Sequence, residues 1–76
     1  MIDSLELLKQ NAPSLFETYS KRKIIKLEKK ISDLRIRYKE EKNEEERKKI
    51  VEEGKMLKEE IKRIKRLLEE NKENTS

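Results

Sequence analysis

Apolar residues in the middle of the chain recur at alternating steps of three and four. Ile24, Leu27, Ile31, Leu34 and Tyr38 form one run, and Ile50, Gly54, Leu57, Ile61 and Ile64 form a second, with Gly in one apolar slot. Such spacing places each run on a single stripe of an α-helix. The runs also mirror each other about residue 44, pairing 38 with 50, 34 with 54, 31 with 57, 27 with 61 and 24 with 64. A mirrored order of layers lets two antiparallel helices set the knobs of one into the holes of the other. The pattern predicts an all-α chain, an antiparallel helical hairpin in the form of a two-helix coiled coil.

Local signals set the boundaries. Residues 1–12 read as a short N-terminal helical segment, with Asp3 or Ser4 as N-cap ahead of Leu5, Leu7 and Leu8. Pro13 cannot donate to a preceding turn but suits the first turn of a new helix, so the first long helix is expected over about 13–41. Asn43 is a good N-cap, and Glu46 stands where its carboxylate could reach back to the cap's amide. Glu44, Glu45 and Glu46 would favour the positive end of a helix dipole. The turn is therefore placed near 42–43 and the second long helix over about 44–70, completing a hairpin over 13–70. Residues 71–76 are expected to fray.

The rival arrangement is one uninterrupted helix over 14–70 that dimerises. A heptad series begun at Ile24 would then need apolar residues where the chain has Glu45, Glu52, Glu59 and Arg66. The second run is offset from the first by two residues, which neither a stutter nor a stammer supplies. The hairpin is the better reading.

Gly54 faces Leu34 in the mirrored register. In mid-helix it costs about 1 kcal/mol relative to Ala, and the expected compensation is close approach of Leu34 or of the opposite backbone, so that Gly54→Leu would overpack the layer.

Several apolar residues fall off the stripe. Ile25 and Ile36, eleven apart, point away from it on the first helix, and Met56 and Leu67 repeat that spacing on a flank of the second. With Leu5 and Leu8 in an N-terminal segment that has no obvious packing partner, these six form the predicted protein interface. A two-helix hairpin alone buries little, so completion by dimerisation or by a larger partner is expected.

Composition narrows the function. The chain has 76 residues, of which 50% are charged and 32% hydrophobic, and it has no Cys, no His and no Trp. One small helical domain fits those bounds. Without Cys or His the usual nucleophiles, general bases and soft metal ligands are missing, and one Gly cannot build a phosphate-cradling loop. A non-enzyme is expected, with no cofactor, no metal and no small-molecule substrate. Nothing approaches the ~20 apolar residues of a membrane span, and Asp3 and Glu6 make the N-terminal segment a poor interfacial helix. A cytoplasmic protein that avoids membranes is the expectation.

Charge adds a second possibility. The net charge is +4, with nine Lys and Arg over residues 21–39 against Glu28 and Asp33, and five Glu over residues 40–46 against Lys42. Folding the hairpin would bring Lys21, Arg22, Lys23 and Lys26 to the same end as Lys62, Arg63, Lys65 and Arg66, opposite an acidic turn. With Phe16 and Tyr19 nearby, that end is a candidate nucleic-acid surface. No helix-turn-helix, zipper basic region or zinc knuckle accompanies it. The favoured function is a non-catalytic accessory subunit that docks on a larger assembly, such as nucleic-acid-handling machinery, or self-associates. The alternative is a direct nucleic-acid-binding module.

Overall fold

The computed structural model describes residues 4–75, and side chains over residues 4–71. Asp3, a candidate N-cap, and Ser76, within the expected fraying tail, lie outside the described residues. Three α-helices occupy the rest, α1 (Ser4–Asn11), α2 (Pro13–Glu40) and α3 (Glu44–Thr75), and no strand occurs among the described residues.

Ala12 alone separates α1 from α2. A residue before proline is pushed out of the helical region by the proline ring, and Ala12 accordingly has φ −149° and ψ 75°. The chain changes direction there without losing its backbone bonds. The Ala12 amide donates to the Leu8 carbonyl at 2.7 Å, and the Phe16 amide donates to the Ala12 carbonyl at 2.9 Å. No side chain caps α2, so Pro13 at its start, which has no amide to satisfy, carries the boundary.

Residues 41–43 interrupt the helix between α2 and α3. Asn43 is the expected cap, its Oδ1 accepting from the amides of Glu45 at 2.9 Å and Glu46 at 3.4 Å. The reciprocal half differs from expectation. The Asn43 amide donates to Glu41 Oε1 at 3.1 Å, which also accepts from the Lys42 amide, while the Glu46 carboxylate takes Lys49 instead. Glu41 is thus both the C-cap of α2 and the acceptor for the link. Arg47 reaches back over the link, with its guanidinium 4.3 Å from the centre of the Tyr38 ring and its Nε donating to the Tyr38 carbonyl at 3.4 Å.

The molecule measures 49 × 24 × 16 Å. At 1.5 Å per residue α3 alone is about 48 Å long, so α2 must lie beside it, not beyond it. Leu5, Phe16, Ile24, Leu27, Ile61, Ile64 and Leu67 form the buried core, with Leu8, Ile31, Leu57 and Leu68 packed against it. Leu34 and Ile50 are buried separately, toward the link.

Three expectations need correction. Leu5 and Leu67 belong to the internal core, and Leu8 packs on it, so these residues are not left over for an outside partner. The reason is the joint at Ala12, which folds α1 back onto the end of α2 and α3. The same contact alters the chain's last helix. α3 continues to Thr75, past the expected end at 70, and buried Asn71 lines a hollow with Glu6, Lys9, Gln10, Pro13, Leu67 and Glu70. Lys9 closes that end with an ion pair to Glu70 at 2.8 Å. Gly54, finally, is not a point of close approach. A Cβ built there would meet nothing within 4 Å. Ile50 and Leu57 on either side hold the two helices apart, and rigid backbones do not collapse over one missing side chain.

Candidate interaction surfaces

The void at Gly54 opens to the surface as a cleft of about 420 Å³ between α2 and α3. Ile31, Leu34, Tyr38, Ile50 and Val51 supply its apolar lining, and Arg35, Lys39, Lys55 and Lys58 supply its charged one. All four charges are positive. Lys55 has Glu52 at 3.8 Å, whereas Arg35, Lys39 and Lys58 have no ion pair among the described residues.

Helical geometry explains the rim. Arg35 and Lys39 are four apart on α2 and Lys55 and Lys58 three apart on α3, which sets each pair along one side of the apolar stripe. The residues were visible in the sequence as flanks of Leu34 and Gly54. Expecting a tight contact at Gly54 concealed them.

A second apolar surface lies on the back of α2. Ile25 is 67% exposed and Ile36 56%, and at 100° per residue both point nearly opposite Leu27 and Leu34. Met56, 69% exposed, stands on α3 beside the ion pair in which the Arg63 guanidinium grips Glu60 through two bonds, at 2.7 and 3.2 Å. Met56 and Leu67 share a flank as the spacing predicts, but α1 covers Leu67 and stops short of Met56.

The basic residues are divided among several settings. Arg22, Lys23 and Lys26 line one depression of α2 with Tyr19, Leu27 and Lys30, about 370 Å³ in volume. No residue of α3 lines it. Lys21 is held by Glu17 at 3.0 Å and Arg63 by Glu60, while Lys62, Lys65 and Arg66 are exposed on α3. Phe16 is fully buried and cannot stack on a base, which leaves Tyr19 as the accessible aromatic of that region.

No group of three or more His, Cys, Asp or Glu side chains among the described residues is arranged to hold a metal ion. No helix there is long and apolar enough to cross a membrane. Neither a protein-family model, nor a curated protein, nor a solved structure matches the chain.

Proposed function

We propose that the chain acts without catalysis, as an antiparallel helical hairpin that associates with protein, either docked on a larger assembly or paired with a second copy. The observation that carries this reading is unburied apolar surface. Leu7, Leu15, Tyr19, Ile25, Ile36, Tyr38, Val51 and Met56 are all exposed on a chain whose accessible surface is 6391 Å². A compact monomer of 9.3 kDa has roughly 5,000 Å², so this elongated molecule exposes more surface than its mass requires, and large apolar side chains are part of it.

Sedimentation of the wild type and of Ile25→Lys/Ile36→Lys tests the proposal. The expected result is association of the wild type, with itself or with a copurified protein, that the double variant loses while keeping its helical circular dichroism. A wild type that stays a folded monomer and binds no protein, or a double variant that associates as before, overturns it.

A second reading rests on the depression holding Tyr19, Arg22, Lys23, Lys26 and Lys30. A row of cations beside an exposed aromatic ring suits a single-stranded polynucleotide, whose phosphates it would neutralise and whose bases it would stack. This reading expects low-salt binding that Arg22→Glu/Lys26→Glu removes and that weakens steeply as salt rises.

A further inference from the structure

The geometry points to the cleft at Gly54 as a receptor for an acidic amphipathic helix of a partner protein. The inference rests on the protein-association reading but uses a different surface from Ile25 and Ile36. Three features define the occupant. The floor is apolar, formed by Ile31, Leu34 and Ile50 with Tyr38 and Val51 at its edge, so the occupant must present an apolar face. The charged lining is wholly cationic, and three of its four charges have no ion pair among the described residues, so the occupant must carry carboxylates beside that face.

The third feature is shape. From Ile31 to Tyr38 the apolar lining advances seven residues, about 10 Å along the helix axis. An apolar stripe at i, i+4 and i+7 of a bound helix has the same span. The cleft is also partly open to solvent. A detached acyl chain lying in it would keep one side in water, whereas an amphipathic helix needs only one face covered. Gly54 makes the concavity. A Cβ at this position would meet nothing within 4 Å.

The test uses the full chain and two fluorescein-labelled helical peptides of about four turns. Each has Leu on one stripe, flanked by Glu in one peptide and by Lys in the other. Fluorescence anisotropy is expected to show the Glu peptide binding more than about tenfold tighter, since like charges set together are strongly disfavoured, and losing affinity as salt rises. Gly54→Leu, filling the cleft, and Lys39→Glu/Lys55→Glu, inverting its rim, should each weaken the Glu peptide by about tenfold or more with helicity unchanged. The second variant changes only exposed side chains, so it remains informative should the first fail to fold.

Ile25→Lys/Ile36→Lys should bind the peptide as the wild type does, which separates this cleft from the surface of the broader proposal. Equal binding of the two peptides, or undiminished binding by either cleft variant in its folded form, overturns the inference. So does displacement of the Glu peptide by dodecanoate at comparable concentration, which would make the cleft a site for a small anionic amphiphile. A wild-type dimer that Gly54→Leu dissociates would assign it instead to a second copy.

Discussion

The two ends of the α2–α3 pair are built differently. At the end near Ala12 three helices meet, and Phe16, Ser20 and Ile64 are completely buried there. At the end near residues 41–43 only two helices meet, and Leu34 and Ile50 are covered but stand apart from the main core. The link end is held mainly by polar devices: the Asn43 cap, the Glu41 carboxylate and the Arg47 guanidinium over Tyr38. The cleft at Gly54 belongs to this thinner end, where Leu34, Tyr38 and Ile50 line it. The lesson is that α1, despite its eight residues, decides where the molecule is thick. Depth of burial follows the number of helices that meet.

Truncating one residue type at both ends should produce the largest difference. Ile64→Ala is expected to cost about 4 kcal/mol and Ile50→Ala about 2 kcal/mol, following the range for buried aliphatic truncations. Urea unfolding followed by circular dichroism gives both values, and equal losses would mean that the link end is as well packed as the other. Native-state hydrogen exchange should agree, with amides near Ile50 opening at lower free energy than those near Ile64.

Next comes a change that should stabilise the thick end. The Ser20 hydroxyl is buried without a hydrogen-bond partner among the described residues, and a buried unsatisfied group costs about 1–3 kcal/mol. Ser20→Ala should therefore raise the melting temperature, by about 4–8 °C for each kcal/mol recovered. A lowered melting temperature would show that the hydroxyl contributes at that position.

Gly54→Ala should stabilise the thin region by about 1 kcal/mol, from helix propensity alone, because the added methyl meets nothing. Loss of stability instead would restore the close-approach explanation of this glycine. The smallest effect belongs to Lys9→Met. The Lys9–Glu70 pair has one partner half exposed, so its removal should cost about 0.5 kcal/mol, a difference that shrinks at high salt. A loss of several kcal/mol would make that ion pair, and not Leu5, what holds α1 in place.

What could be read from the sequence was local. The stripe from Ile24 to Leu34, the break at Pro13 and the Asn43 cap each depend on residues within a turn or two of one another. The place of α1 depends on the backbone angles of Ala12, and nothing in the residues from Ser4 to Asn11 states which surface they will meet. Leu5 and Leu67 therefore looked like leftovers from the stripe, though they lie in one core. Phe16 lies on the same stripe as Ile24, with the buried Ser20 as a hydroxyl-bearing step between them. The cleft was hidden for a different reason. Spacing tells which residues face each other across two helices but not how far apart they stand.

The tyrosines have a practical consequence. With no Trp in the chain, Tyr19 and Tyr38 are its main near-ultraviolet chromophores. Tyr38 lines the cleft, and Tyr19 lines the basic depression. The cleft and the basic depression thus each carry an optical label. With Tyr19→Phe and Tyr38→Phe as paired references, a change in tyrosine emission on adding a ligand can be assigned to one surface or the other without attaching a dye to the protein.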